Sequence, residues 1–225
     1  MSDTDSQWMS FEQVEYVPVP SKEPEKKLVQ SDVTFVVSFD PGVVNLGVAG
    51  ILSEKGKSLK LDFYRTYNVK SDDLKGADRN KLFLMLEEID ALIKATDYKR
   101  PYLTWQKAIW VVEYQPPLES LRNPGLVRSN TFVESFIIAW CMARDKQIHV
   151  VYPSAVKTHF DFPKTAKYRQ YALNKQTTTR LVSGLLGVKG LNEHICDCVL
   201  NGAYFISKHQ EKEEAIQDDS ASQPK

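Results

Sequence analysis

Two short apolar segments of this sequence each end in a carboxylate, and this arrangement limits the folds that the chain can adopt. Residues 33–39 (VTFVVSF) run directly into Asp40, and residues 108–112 (AIWVV) run into Glu113. Both segments are rich in β-branched and aromatic residues and are followed by proline-containing turns, which is typical of buried strands. A charge at the tip of a buried strand is costly unless it is paired or bound to a cation. The sequence therefore predicts a covered sheet that presents two acids at strand ends.

The surrounding sequence predicts further elements that complete the sheet. Besides 33–39 and 108–113, strands are expected over residues 45–53, 58–67 and 148–152. The strands at 33–39, 45–53 and 58–67 are expected to form an antiparallel meander. Helices are expected after a cap at Asp78, after a capping box at residues 131–134, from Ser154, over 175–187, and from Asn192 to about Lys208. With the short helical stretch from Ser154 left out, the order β-β-β-α-β-α-β-α-α predicts an α/β fold in which helices flank a mixed five-stranded sheet.

The ends of the chain differ from its middle. The 225 residues suggest one domain with appendages, which we place at residues 31–208. Residues 1–30 are acidic and those from 209 to 225 are polar, so both are predicted to be disordered tails. Because the sequence has neither a run of about 18 apolar residues nor a secretory leader, we expect a soluble, intracellular protein without a membrane partner.

The formal net charge is zero, but the charges are unevenly distributed. Between positions 150 and 192 a single acid, Asp161, stands against seven basic residues: Lys157, Lys164, Lys167, Arg169, Lys175, Arg180 and Lys189. Such a local basic surface is suited to binding phosphates, although a solvated basic face without a partner is the alternative.

Three cysteines, Cys141, Cys196 and Cys198, lie inside apolar helical patterns. Their odd number and lack of zinc-ligand spacing predict reduced, buried thiols.

A third polar element begins the last predicted helix. His194 and Asp197 are three residues apart and so share one helical face, which Asn201 extends, while the rest of the helix is apolar. A polar stripe of this kind requires polar groups opposite it, and carboxylates brought together suit a hard divalent cation such as Mg²⁺. Each residue also has a simpler interpretation: Asp40 as a turn former, Glu113 as the partner of a lysine, and His194 as a surface residue.

Taken in order, these motifs resemble those of the RuvC-type Holliday junction resolvases of the RNase H-like superfamily. SFDPG at 38–42 with NLG at 45–47 is similar to the first-strand pattern (S/G)-Φ-D-x-G-x-x-N-x-G, where Φ is apolar. VVEYQP at 111–116 is similar to the second motif, and HICDCVLNGA at 194–203 to the D/H-x-x-D motif of the last helix. The resemblance spans residues 33–207 and is closest in style to the poxvirus, large-DNA-virus and fungal mitochondrial resolvases. His194 stands where many members have Asp.

The resemblance implies a nuclease domain that resolves four-way DNA junctions in recombination, replication or repair, in the cytoplasm if the protein is of large-DNA-virus origin. It implies two Mg²⁺ ions, with Mn²⁺ as a substitute, held by Asp40, Glu113 and Asp197. His194 would be a further ligand or a proton carrier and completes the predicted catalytic set. The predicted DNA contacts are Gln115, Lys157, Lys175 and Arg180.

A four-way junction presents two symmetric strands, so the resemblance also implies a homodimer. The apolar face of the helix that contains Phe132, Phe136, Ile137 and Trp140 is a candidate interface, with ordinary core packing as the alternative.

Three other functions compete with a resolvase. An actin- or sugar-kinase-like phosphotransferase shares the D-x-G turn but needs a second phosphate loop and a larger, two-lobed chain. A catalytically silent nucleic-acid-binding protein of the same fold and a pure interaction module are the others, and the intact Asp40, Glu113 and Asp197 argue against both.

Overall fold

A computed structural model of the chain describes residues 33–72, 76–97, 108–115, 124–164 and 167–221. In chain order the elements are β1 (Val33–Asp40), β2 (Leu46–Glu54), β3 (Lys60–Tyr67), α1 (Arg79–Asp97), β4 (Ile109–Glu113), α2 (Pro124–Met142), β5 (Ile148–Val151), α3 (Pro153–His159), α4 (Lys167–Leu186) and α5 (Glu193–Ala221). All five predicted strands are present. The predicted tail over residues 1–30 lies outside the described residues.

The strands form one sheet in the order β3-β2-β1-β4-β5. β1 pairs antiparallel with β2, and β2 with β3, which is the predicted meander. β4 runs parallel to β1, and β5 parallel to β4, because helical crossovers precede both. The prediction of an α/β fold with a mixed five-stranded sheet is confirmed.

Both faces of the sheet are covered, which explains why residues 35–39 of β1 are all buried instead of alternating between buried and exposed. Phe39 belongs to the core on the side of α1 and α2, where its ring stacks on Trp110 with centroids 5.4 Å apart. Val36 belongs to the second core, together with Ile195 and Val199 of α5. Helix α5 packs on β1 and β2, so the sheet carries the start of α5 close to the end of β1.

The cap predicted for α1 is confirmed. Oδ1 of Asp78 accepts hydrogen bonds from the backbone N–H groups of Asn80, at 2.8 Å, and Lys81, at 3.2 Å. These bonds satisfy two of the donors that a helix start leaves without a partner inside the helix.

Helix α2 corrects one prediction. It begins at Pro124, so the expected capping box at residues 131–134 lies inside the helix and is wrong. Proline at the first position of a helix is well suited to that role because its fixed φ is helical and its missing N–H is not needed. Glu134 accepts a hydrogen bond of 3.0 Å from the backbone N–H of Gln115 instead of capping the helix.

The last two helices are longer than predicted. α4 begins at Lys167, where we expected it at Lys175, and α5 continues beyond Lys208 to Ala221. The extension of α5 begins with two contacts: Lys208 pairs with Glu211 at 2.7 Å, and Gln210 donates to Ser53 Oγ at 3.1 Å. Residues favourable to helices, mainly Glu, Lys and Ala, account for a helix where polarity had suggested a tail.

The apolar face of α2 is largely core. Ile137 is 0% exposed and Trp140 5%, so their predicted place in a dimer interface is wrong and the alternative of core packing holds. Phe132 and Phe136 are partly buried and pack against the same core.

The three cysteines are free and buried, as predicted. None of the helices in the described ranges combines the length and the apolar character needed to span a bilayer.

Candidate active site

The two strand-end carboxylates lie at the same edge of the sheet. Asp40 is the last residue of β1 and Glu113 the last of β4, and these neighbouring strands are parallel, with Phe39 opposite Val112. Parallel pairing brings the ends of both strands together. The two acids therefore become neighbours although β2, β3 and α1 lie between them in sequence. The pKa of Glu113 is raised by burial and, after burial, by the neighbouring Asp40.

Helix α5 brings the third polar element to this edge. Its start is fixed by Asn192, whose Oδ1 accepts the N–H of Ile195 at 3.0 Å and whose amide donates to Thr66 of β3 at 3.0 Å. Asn192 therefore caps the helix and ties it to the sheet.

A glycine in β2 permits the close approach of α5. A Cβ added at Gly47 would lie 2.8 Å from the backbone oxygen of His194 and 2.9 Å from Sγ of Cys198. Gly47 is also the residue opposite Asp40 in the β1–β2 ladder. The absence of a side chain at this position thus sets the distance between the helix and the end of β1.

His194 contacts Asp40 directly. Nδ1 of the imidazole lies 2.9 Å from Oδ2 of Asp40, and the two residues are 154 positions apart in sequence. This bond raises the pKa of His194, against the opposing effect of partial burial. The imidazolium form is therefore favoured next to Asp40.

Glu113 is held on its other side by Asn201. The amide nitrogen of Asn201 donates to Oε2 of Glu113 at 2.9 Å. Burial, followed by the charge of Asp40, raises the pKa of Glu113 to about 8, while the Asn201 bond and the positive charge of Lys157 act in the opposite direction. The polar group that the stripe on α5 required opposite Asn201 is thus Glu113.

Asp197 completes a cluster of carboxylates. Burial, and then the charge of Asp40, raises its pKa to about 7, while His194 and Lys157 lower it. Burial and the neighbouring carboxylate of Asp40 therefore disfavour the ionised forms of both Glu113 and Asp197. A cation placed among the three would relieve this repulsion, and hard divalent ions prefer carboxylate oxygens.

The donor set fits such an ion by its chemistry, although the side chains are not gathered around a common point. Across the described ranges, no three or more His, Cys, Asp or Glu side chains form a group that could hold a metal ion as they stand. Asp40 and Glu113 are instead bonded to His194 and Asn201. In this arrangement both acids are held by side chains of α5.

The predicted DNA contacts occupy different positions around the cluster. Lys157 on α3 is exposed and close enough for its charge to lower the pKa of both Glu113 and Asp197. Arg180 on α4 is exposed. Lys175 on α4 forms an ion pair with Glu193. Gln115 is tied to α2, because its backbone N–H donates to Glu134 and its Oε1 lies 3.5 Å from the amide of Asn130.

Sequence reasoning missed three contributors to the site. Asn201 was seen as part of a stripe but not assigned a partner, and Asn192 and Glu193 were not singled out. A polar residue four positions after Asp197 on an apolar helix is the signal that could have identified the Glu113 contact. The role of Glu193 depends on the position of α4, which the sequence pattern does not give.

A mixed sheet in this order, with helices on both faces and acids at the ends of β1 and β4, is the RNase H-like fold. T. thermophilus RuvC in complex with a Holliday junction substrate has this fold at a TM-score of 0.53 and 16% identity, over 78% of this chain and 96% of that one. A second Thermus thermophilus RuvC structure gives 0.54 and 14%, over 78% and 97%. The Fowlpox virus resolvase complexed with Holliday junction DNA gives 0.45 and 14%, over 77% and 99%.

The resemblance to RuvC-type resolvases is thereby confirmed at the level of the fold. No protein-family model matches the chain, and no curated protein matches its sequence.

Proposed function

We propose that this protein is a metal-dependent endonuclease that resolves four-way (Holliday) DNA junctions by hydrolysing phosphodiester bonds. The observation that carries the proposal is the cluster of Asp40, Glu113 and Asp197 at one edge of an RNase H-like sheet, with mutual repulsion that a cation would relieve. The RuvC structure at 16% identity that is solved with a Holliday junction supports the choice of substrate.

In this proposal Asp40, Glu113 and Asp197 hold two Mg²⁺ ions, for which Mn²⁺ can substitute. When bound, such ions activate a water for attack and stabilise the leaving 3′-oxygen. His194, bonded to Asp40, is placed to hold a proton at Nδ1 beside the reacting phosphate or to turn and contribute a ring nitrogen. Asn201 keeps Glu113 in one orientation, and Lys157 supplies positive charge where the scissile phosphate must lie.

A two-fold homodimer would place one such cluster at each of two symmetric strands. On α2, only Phe132 and Phe136 of the predicted interface residues retain exposed surface. Sedimentation of the free protein and of its junction complex tests this stoichiometry directly.

The test of the reaction compares a synthetic four-way junction with a linear duplex of the same sequence, with and without Mg²⁺. Asp40→Asn and Glu113→Gln are expected to abolish cleavage and to leave junction binding nearly intact, because these acids serve cations rather than phosphates. Asp145→Asn is the matched control: Asp145 is exposed and has φ 51°, which Asn tolerates. If Asp40→Asn cleaves as fast as the wild type, the carboxylate cluster does not take part in the reaction. If Asp40→Asn and Glu113→Gln both lose their cooperative melting transition, the two acids have a structural role.

One observation favours a second candidate, a catalytically silent DNA-binding protein of the same fold. Asp40 and Glu113 each have one oxygen in contact with a protein partner, and the described side chains form no group ready to hold an ion. That alternative predicts tight junction binding with no Mg²⁺-dependent product and no Mg²⁺-dependent rise in melting temperature. The phosphotransferase alternative is tested by an ATPase assay on the same preparation.

Salt dependence tests the proposed phosphate contacts. Lys157→Gln should reduce the slope of log affinity against log salt by about one, the value for one lost phosphate contact. An unchanged slope would place Lys157 outside the interface.

A further inference from the structure

Lys175, a predicted phosphate contact, already has an anionic partner in the protein. Its ammonium lies 4.5 Å from the centre of the Tyr171 ring and forms an ion pair with Oε2 of Glu193. Tyr171 is one turn earlier on α4, whereas Glu193 is the first residue of α5, so the ion pair joins the two helices. A DNA phosphate and Glu193 are both anions that need the same N–H donors, so the phosphate must displace Glu193 to bind Lys175 fully.

The other oxygen of Glu193 faces the carboxylate cluster. Oε1 lies 3.7 Å from Nε2 of His194, whose Nδ1 is 2.9 Å from Asp40. Both ring nitrogens of His194 therefore face carboxylates. A continuous row of contacting polar groups thus runs from Lys175 on α4, through Glu193 and His194, to Asp40 at the end of β1.

We propose that Glu193 is a positioning residue that couples phosphate binding at Lys175 to the placement of the His194 ring; this inference rests on the proposed function. In the DNA-free protein, Lys175 and His194 share the Glu193 carboxylate. When a DNA backbone phosphate binds Lys175, Glu193 loses its ion pair with Lys175. Its carboxylate then contacts His194 alone, and the distance between these two side chains shortens. The carboxylate stays favourable in both arrangements because it lies at the N-terminus of α5, where the helix dipole stabilises negative charge.

The first experiment uses the free protein and measures the ring nitrogens of its four histidines by ¹⁵N NMR. The His194→Gln variant assigns the His194 signals. Lys175→Gln, which releases Glu193, is expected to shift the Nε2 signal of His194, and Arg180→Gln on the same helix is the control that should leave it in place. In the Glu193→Gln background, Lys175→Gln should leave the Nε2 signal of His194 unchanged. The coupling between Lys175 and His194 is refuted if Lys175→Gln does not shift the His194 signal, or if Arg180→Gln shifts it equally.

The second experiment measures junction binding at low salt in EDTA, with Lys175 and Glu193 replaced singly and together. Glu193→Gln should tighten binding about two- to five-fold, a range set by the weakness of exposed ion pairs, because Lys175 no longer has to be released. In the Lys175→Gln background most of this gain should vanish. An equal gain in both backgrounds would mean that Glu193 acts only through its general negative charge, and would overturn the proposal.

A split between affinity and rate completes the test. If the junction is cut, Glu193→Gln should bind it more tightly and cleave it more slowly at saturating DNA, a combination that a damaged fold does not produce. A protein that neither binds nor cuts junctions would refute the proposed function, whereas the NMR arm would still decide whether Lys175 and His194 are coupled. Cleavage together with an unresponsive His194 signal would refute the coupling alone.

Discussion

The side-chain amide of Asn201 donates a 2.9 Å hydrogen bond to Oε2 of Glu113, a residue 88 positions away in sequence. Asn201 is 2% exposed, so water cannot replace the bond without opening the packing of α5 on the sheet. An amide supplies a donor without adding a fourth negative charge to Asp40, Glu113 and Asp197. It thus favours the ionised form of Glu113 against the effect of burial.

Replacing Asn201 with Leu keeps the approximate shape and removes the donor. We expect the pKa of Glu113 to rise further and the free energy of unfolding at pH 9 to fall by about 1–3 kcal/mol, the cost of a lost hydrogen bond to a buried charged group. The loss should be smaller at pH 6, where Glu113 is protonated. Urea unfolding at the two pH values measures this, with Asn174→Leu on α4 as the control, since Asn174 only accepts a bond from Gln170. Equal losses at both pH values would contradict the role of the bond.

The metal-free protein should lose stability as pH rises. Folding raises the pKa of Glu113 from 4.5 to about 8 and that of Asp197 from 3.8 to about 7, so the folded state retains protons that the unfolded state has released. The free energy of unfolding therefore falls between about pH 4.5 and 8. The raised pKa of His194 acts in the same direction: its contribution is complete below its unfolded value of 6.5 and is lost as pH rises through its folded value.

Calorimetry in EDTA and in Mg²⁺ measures this dependence. Because Mg²⁺ binds ionised carboxylates, it should raise the melting temperature more at pH 8 than at pH 5.5. The double variant Asp40→Asn, Glu113→Gln should flatten the metal-free profile and abolish the Mg²⁺ effect. A melting temperature that is independent of pH in EDTA would show that the cluster does not titrate as its burial implies.

Gly47→Ala tests the approach of α5 to β2. The new methyl group would meet the backbone oxygen of His194, which cannot rotate away, so the start of α5 must shift. We expect a loss of about 1–3 kcal/mol in unfolding free energy, as for other overpacked sites, and a large loss of cleavage. Gly184→Ala in α4 is the matched control: it meets nothing within 4 Å and should stabilise the helix by about 0.5–1 kcal/mol. Wild-type stability in Gly47→Ala would show that the helix position is adjustable.

His194 should govern one limb of the pH–rate profile. Protonation removes the lone pair with which the imidazole would bind a metal ion. The bond to Asp40 raises the pKa of His194, so the wild type should lose rate as pH falls from a value above the ordinary imidazole pKa of 6.5. His194→Ala should cleave slowly, and His194→Asp should keep substantial activity without that limb, since a carboxylate remains a ligand there. Single-turnover rates from pH 5.5 to 9 measure this. If His194→Ala cleaves at the wild-type rate over that range, His194 has no role in the reaction.

The strand positions were predictable because buried strands leave short runs of β-branched and aromatic residues in the sequence. Asp40 and Glu113 could be placed at strand ends because each follows such a run. The sequence predicted that polar residues of α5 face the two acids, because His194 and Asn201 share a face of that helix. It did not predict which residue contacts which acid, because that depends on the register of α5 against the sheet. The start of α2 was missed because Thr131 and Glu134 have the spacing of a capping box although they lie inside the helix, which begins at Pro124. Lys175 was assigned to DNA from its charge and from the family resemblance, whereas its pairing with Glu193 depends on how α4 packs on α5.

The cluster is assembled from three distant parts of the chain, since Asp40 is joined to His194 across 154 residues and Glu113 to Asn201 across 88. During synthesis, a ribosome will have released β1 and β4 long before α5 exists. Until α5 docks, the two acids stand at the end of an incomplete sheet without His194, Asp197 or Asn201. Under the proposed function, a nascent or truncated chain that lacks α5 should not cleave DNA, and cleavage should begin only when α5 has docked on the sheet.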